Sequence, residues 1–262
     1  MLPVLAHIGF VTIYTFGVFL VLALFWGSFL LWKNLQLTSF DEETVFDGIF
    51  IALLGGLFFG RLLFVFLHFS DFGFSILRFI LINGYPGLHP IGLIAGGVLT
   101  YWFFCNAKKI TFKKSIDYLI PPLLLAIGII TLGSFFGGGE VGAQTNFFLS
   151  VRYPNLDGAR HLVALYESVA YFGLAYVTQK IIFSIRREHL FEGFNLLLFV
   201  WGVALTMCAF DWMKAFRTTI FGYSFTFVIG FPIALTTTIY LIYYFRVTIK
   251  TFFVQKFSKR KK

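Results

Sequence analysis

Seven stretches of this 262-residue chain are long and apolar enough to cross a bilayer, and that requirement leaves few folds open to it. A helical crossing of the hydrocarbon needs about 20 consecutive apolar residues. The runs at roughly 10–32, 45–68, 88–105, 117–136, 161–183, 193–213 and 222–245 meet or approach that length. The chain is 58% hydrophobic and holds 38 Phe, more than a soluble core of this size needs, so an integral membrane protein is expected. The fold class is all-α: a bundle of seven transmembrane helices. No linker or repeat divides the chain, so 1–262 reads as one domain. The first run has no Lys or Arg before it and is too long for the core of a cleavable signal, so it is expected to be retained.

The basic residues assign the sides. Lys33, Lys108, Lys109, Lys113, Lys114, Lys180, Arg186, Arg187 and the seven from Arg246 to Lys262 make fifteen on one side. Arg78, Arg152, Arg160, Lys214 and Arg217 make five on the other, and Arg61 lies within a span. Because cytoplasmic loops carry the excess of Lys and Arg, the N-terminus is expected outside and the C-terminus in the cytoplasm. A net charge of +9 placed between apolar runs and at the C-terminus is a topology signal rather than a nucleic-acid footprint, so no nucleic-acid partner is expected. The tail 246–262 reads as a basic anchor on anionic lipid. The connection at about 137–160 is extracytoplasmic and places its aromatics at headgroup level. Cys105 and Cys208 fall in apolar runs without metal-ligand spacing and read as packing residues.

Polar residues within these runs are the sites to weigh, since an ionisable group at membrane depth must face protein or water. TLGSFFGGGEVGAQTN, from Thr131 to Asn146, sets Glu140 inside a glycine cluster at the end of a span. Gly137, Gly138, Gly139 and Gly142 are expected to break the helix and bring bare backbone N–H groups near an anion. Arg61 follows GGLFFG, whose Gly55, Gly56 and Gly60 permit a close approach by a helix or headgroup. Its planar fork suits phosphate, or equally an intramembrane carboxylate such as Glu140 or Glu167. His89 lies in NGYPGLHPIG, a turn feeding the third span, and is either a capping residue or a general base suited to neutral pH. Tyr14 is read as a polar-tipped residue of the first span. His161, Tyr166 and Glu167 begin the fifth span without converging on one helical face, and no metal site is expected. Asp211 and Lys214 read as an ion pair at the end of the sixth span.

These residues resemble the bacterial phosphatidylglycerol–prolipoprotein diacylglyceryl transferases, in matching order from about Tyr14 to Lys214. Tyr14 is similar to that family's first-helix tyrosine, and GGLFFGRLLFV, with Gly60 and Arg61, to its glycine-rich second helix. LHPIGLIAGG places His89 at the essential histidine, with Pro90 in place of a glycine. Asp117 and Pro121 match an Asp-x-x-x-Pro that opens the fourth helix, and HLVALYE keeps His161, Leu165, Tyr166 and Glu167 of a further motif. ITLGSFFGGGEVG resembles the family signature at Gly133, Phe135, Gly138 and Gly142, with Ser134 for Asn and Glu140 one place from the usual acid. Thr131, and Leu205 or Thr206, stand where the two headgroup arginines fall.

The resemblance implies transfer of a diacylglyceryl group from phosphatidylglycerol to the lipobox cysteine of prolipoproteins, in the bacterial cytoplasmic (inner) membrane. It needs no cofactor, and its partners are phosphatidylglycerol or a related lipid, the signal peptide of the prolipoprotein, and the membrane. By analogy His89 serves the thiol, with Tyr14 and Glu140 as further catalytic residues. Arg61, Gly60, Ser134, Gly138 and Gly142 surround the lipid, while Asp117, His161 and Glu167 are polar supports. Tyr14, Arg61, His89, Ser134, Glu140 and Gly142 are expected to line one pocket in the outer half of the bundle. The missing arginines keep a second reading open, a member that binds lipid or signal helix without transfer. A transporter is disfavoured because paired half-helices are lacking.

Overall fold

The computed structural model describes residues 3–247 apart from 10, 82–83, 154–155 and 221. The elements in chain order are β1 (Val4–Ile8), β2 (Val11–Tyr14), α1 (Thr15–Leu35), α2 (Glu42–Leu67), α3 (Phe69–Phe72), α4 (Ile76–Ile80), α5 (Pro90–Lys108) and α6 (Phe112–Gly137). They continue with β3 (Ser150–Arg152), β4 (Ala159–His161), α7 (Val163–Arg186), α8 (Phe194–Asp211), β5 (Thr219–Ile220), β6 (Tyr223–Ser224) and α9 (Phe225–Tyr244). Among the described residues seven helices, α1, α2, α5, α6, α7, α8 and α9, have the length and composition to cross a membrane. This is a multi-pass membrane protein. Its helices present large apolar side chains outward, Val21, Phe25 and Phe50 among them, as a lipid-facing surface requires.

The helical class expected from the sequence holds, and among the described residues three short antiparallel hairpins, β1–β2, β3–β4 and β5–β6, lie outside the spans. One expectation needs correction, because Tyr14 belongs to the first of them. It closes β2 opposite Val4, with its side chain 60% exposed, and is not inside the first span. The run Val11-Thr12-Ile13-Tyr14 is β-branched and aromatic, which suits a paired strand better than a first helical turn.

The chain divides into two compact units, residues 30–119 and residues 1–29 with 120–262. In the unit 30–119, α2 and α5 meet through glycines. A methyl group on Gly56 would strike the Leu93 carbonyl, and one on Gly92 the Phe59 carbonyl, so the two backbones touch where side chains would hold them apart. Asp41 caps α2, accepting from Thr44 N at 2.9 Å. Leu31, Leu35 and Val45 form an apolar core with Phe40, Phe46, Ile49 and Leu119 packed against it. Buried polar groups tie helices together: Tyr101 OH meets Ser115 Oγ at 2.5 Å, and Asn34 Nδ2 donates to Tyr118 O at 3.1 Å.

In the other unit hydrogen bonds also link successive helices. Ser168 Oγ donates to Gly128 O (2.9 Å), joining α7 to α6, and Trp201 Nε1 donates to Thr238 Oγ1 (2.9 Å), joining α8 to α9. Thr206 Oγ1 hydrogen-bonds the Tyr171 hydroxyl at 3.2 Å, joining α8 to α7. Such bonds matter here because apolar contact alone distinguishes a neighbouring helix poorly from lipid. Of the basic tail at 246–262, residues 248–262 lie outside the described residues.

Candidate functional site

The helix α6 stops where its glycines begin. Gly138 takes φ +73°, Gly139 N donates to Ser134 O (2.9 Å) and Gly138 N to Phe135 O (3.3 Å), a paired closure of a helix C-terminus. The bare N–H groups expected for Gly138 and Gly139 are therefore spent on the helix. This end presents the negative pole of the helix dipole, so it cannot cradle an anion in the way the sequence suggested.

Beyond the cap the chain becomes the middle of a small ribbon. Ala143 N donates to Met213 O (2.7 Å) and Ala215 N to Val141 O (3.0 Å) on one side. On the other, His161 N donates to Ala143 O (3.1 Å) and Thr145 N to Ala159 O (2.8 Å), and β4 pairs in turn with β3. Gly142 pairs with Lys214 in this ribbon, and a methyl group on it would strike the His161 carbonyl. Backbone pairing thus brings residues near 140, 160 and 214 to one place.

Lys214 Nζ lies 2.9 Å from Glu167 Oε1 and 3.4 Å from Glu140 Oε1. The Glu167 side chain is only 10% exposed, whereas Lys214 and Glu140 are 27% and 38% exposed. Burial alone would lower the lysine's pKa, but Glu167 and then Glu140 outweigh it and hold the ammonium above the usual lysine range. Two carboxylates on one ammonium leave the triad with one excess negative charge. Tyr153 OH donates to the Glu140 carbonyl at 3.2 Å, and burial pushes its phenol pKa up, with Arg160 opposing and Glu140 adding. Arg160 NH1 donates to Gly142 O (3.1 Å). Among the described residues Glu140 Oε2, Arg160 Nε and His161 Nδ1 are buried without a hydrogen-bond partner. The His161 ring centroid lies 6.2 Å from that of Phe147 and 6.3 Å from that of Tyr166.

The expected Asp211–Lys214 ion pair does not form. Asp211 Oδ1 accepts from Ser224 Oγ (2.7 Å), and Lys214 turns to the glutamates. The three-residue spacing depends on a continuous helix, and α8 ends at Asp211. Lys214 as partner of both acids, and Tyr153 beside them, were missed in the sequence. The available signal was electrostatic: a buried Glu167 needs a cation, and Lys214 is the sole lysine among the five basic residues assigned to that side.

The unit 30–119 carries a second group. Arg61 is 3% exposed and uses each guanidinium nitrogen on a main-chain carbonyl: Nε on Phe79 (2.9 Å), NH1 on Gly87 (2.8 Å) and NH2 on Arg78 (2.8 Å). Its Cζ sits 5.0 Å from the Phe72 ring centroid. Backbone occupies the place expected for a carboxylate partner. Gly87, at φ +149°, leads into His89, whose N donates to Gly60 O (3.0 Å). His89 caps α5, accepting from Ile91 N at Nδ1 (3.3 Å), with Pro90 in the first helical turn. Burial, then nearby His68, lower its pKa and favour a neutral ring.

The structure thus brings Gly60, Arg61 and His89 together in one unit, and Glu140, Gly142, His161 and Glu167 together in the other, with Ser134 and Gly138 in the helix cap beside them. Asp117 is buried within α6, which begins five residues earlier than the motif implied. Where the resemblance puts headgroup arginines, Thr131 Oγ1 bonds back to Ile127 O and Gly128 O, both at 3.0 Å, and Thr206 Oγ1 to Val203 O at 2.8 Å. These positions supply no charge.

Seven spans with ionised groups gathered at helix ends define a polytopic membrane protein built around polar sites. A family model described as prolipoprotein diacylglyceryl transferase matches residues 3–245, and the chain belongs to that family. Among its relatives is the phosphatidylglycerol–prolipoprotein diacylglyceryl transferase of Clostridium tetani (strain Massachusetts / E88), 26% identical over 217 residues that cover 80% of this chain and 85% of that protein. The proteins of the same name from Listeria monocytogenes serovar 1/2a (strain ATCC BAA-679 / EGD-e) and Rickettsia africae (strain ESF-5) are 29% and 28% identical, over 204 and 186 residues. The Listeria match covers 73% of each chain, and the Rickettsia match 68% of this chain and 72% of the relative.

Proposed function

We propose that this protein transfers the diacylglyceryl group of phosphatidylglycerol to the lipobox cysteine of prolipoproteins. The observation that carries the reading is the family match across residues 3–245, with relatives that bear the name of this activity. In the reaction the cysteine sulfur bonds to the glycerol carbon, the C–O bond to phosphate breaks, and glycerol 1-phosphate leaves with that bond's electron pair. No cofactor is required. His89 and Glu140 are the residues on which transfer should depend most. His89 is held by a rigid cap, and one Glu140 carboxylate oxygen has no hydrogen-bond partner among the described residues. Arg61 supports the turn before His89.

The second reading, a member that binds lipid or signal helix without transfer, is favoured by Thr131, whose hydroxyl bonds back within its own helix, and by Thr206, whose hydroxyl is spent on Val203 O and the Tyr171 hydroxyl. Losing one charge-assisted contact at a transition state costs roughly 10²- to 10³-fold in rate. Complementation of a strain depleted of its own diacylglyceryl transferase separates the two, with lipoprotein mass as the readout. A diacylglyceryl mass shift supports transfer, and its absence with normal membrane insertion supports the binding reading. The membrane is the bacterial cytoplasmic membrane, with the N-terminus outside and the C-terminus in the cytoplasm, on the bias of Lys and Arg. Labelling of a cysteine introduced at residue 111 from the outside would contradict that orientation.

A further inference from the structure

The connection between α2 and α5 turns large apolar side chains outward. On either side of Gly73, Phe72 is 5% exposed and Phe74 96%, and Ile76, Leu77 and Ile80 of α4 are each at least 66% exposed. A patch of this kind marks contact with a membrane or with another protein. The depth of the segment favours the membrane, because α4 does not stand beyond α2 but folds back along it. The rings of Phe79 and Phe58 meet edge to face with centroids 5.9 Å apart, and Arg61 donates to the carbonyls of Phe79 and Arg78 at 2.9 and 2.8 Å. At about 1.5 Å per residue, Arg61 and Phe58 lie about 9 and 14 Å before the last residue of α2. From Gly48, past the last acid of α2, to Leu67 is about 30 Å of helix, one hydrocarbon thickness. The end of α2 and the α4 packed on it therefore share a depth within one leaflet. Phe58, Leu62 and Phe66 of α2 are exposed as well, so the patch continues a lipid-facing surface.

The main chain points the same way, since at membrane depth each N–H and C=O needs a protein partner. Gly73 N donates to Phe69 O (2.8 Å), Phe79 N to Ser75 O (3.2 Å) and Leu81 N to Leu77 O (2.9 Å). Arg78 NH1 donates to Asp71 O (2.8 Å), which ties α4 back to α3. Two arginines thus serve carbonyls that a loop in water leaves to solvent. The Arg78 guanidinium carbon also lies 5.5 Å from the Tyr85 ring centroid, a pairing suited to headgroup level.

We propose that residues 69–81 are a re-entrant lipid anchor: α3 and α4 dip into one leaflet beside α2, with Phe74, Ile76, Leu77 and Ile80 among the acyl chains. The partner is bilayer lipid. Arg61 is the pin, because its Nε and NH2 hold α4 while NH1 holds Gly87 O, in the turn before His89. The anchor and that turn are fastened to one side chain, so the anchor sets the depth of the turn in the leaflet. The surface does not depend on whether the protein transfers a diacylglyceryl group.

Two measurements test the anchor in the full-length protein, held in nanodiscs of phosphatidylcholine and phosphatidylglycerol. Nitroxide labels at Leu77→Cys and Ile80→Cys, with Cys208→Ala and the buried Cys105 left in place, report depth by collision with oxygen against a water-soluble nickel chelate. Both labels should lie about 5 to 10 Å below the phosphates, as for an apolar face set in the interface. Labels that the nickel chelate reaches would place α4 in water, and labels that neither reagent reaches would place it under protein. Either result overturns the proposal. The second measurement leaves the chain unaltered. Phosphatidylcholine carrying a diazirine in its acyl chain, on irradiation, should modify residues 74–80 as well as the outward face of α2 at Phe50. Modification at Phe50 with none at 74–80 overturns the proposal.

Discussion

Removing the ammonium of Lys214 should be among the most damaging single changes outside the apolar core. At an effective dielectric near 20, unit charges at its 2.9 and 3.4 Å separations attract by about 5 to 6 kcal/mol each before desolvation is subtracted. Lys214→Met deletes both attractions and leaves Glu167, 10% exposed, beside a second carboxylate. Breaking a buried pair from one side costs about 3 to 5 kcal/mol, and the partial exposure of Lys214 and Glu140 places this variant near 3. Glu140→Gln, at the more exposed acid, should cost about 1 kcal/mol or less. Equilibrium unfolding in mixed micelles, read by tryptophan fluorescence, gives the single values. Lys214→Met combined with Glu167→Gln then gives the coupling, because the stranded charge is removed with its partner. A coupling of about 2 kcal/mol is expected. If Lys214→Met costs under about 1 kcal/mol, or the coupling is under about 0.5 kcal/mol, the triad is a solvated contact and the reasoning fails.

Gly138→Ala should destabilise by about 1 kcal/mol through its φ of +73°, as the same unfolding titration will read. Gly142→Ala should cost more, because its methyl group must displace the His161 carbonyl from the ribbon, and hydrogen exchange should quicken at Ala143 and His161. Arg61→Met strands the carbonyls of Arg78, Phe79 and Gly87, so about 3 kcal/mol or more should be lost, with protease sensitivity rising at residues 76–87. The raised pKa values of Lys214 and Tyr153 set an alkaline limit. Each group binds its proton more tightly when folded, so its contribution is complete below the unfolded pKa of about 10 and declines as pH rises beyond it. A stability profile that already falls between pH 7 and 9 would contradict both assignments.

The sequence by itself determined what depends on a single stretch of chain. Crossing a bilayer is a matter of length and apolarity, so each of the seven spans was legible to within a few residues. The stop at Gly137–Gly139 and the turn before Pro90 were equally local, since glycine and proline act through their own backbone dihedrals. The family motifs were legible as order along the chain. Tertiary structure decided everything that required two distant segments to meet. Tyr14 became a strand residue because Val4 pairs with it, and Lys214 left Asp211 for Glu167 and Glu140 because the ribbon carries residue 214 beside Gly142. Arg61 became a clamp on carbonyls 17 to 26 residues away, a choice that no spacing of charges could announce because backbone carbonyls occur at every position. A residue's type states which interactions it can make, while the fold selects among partners of equal chemistry by bringing one of them within about 3 Å.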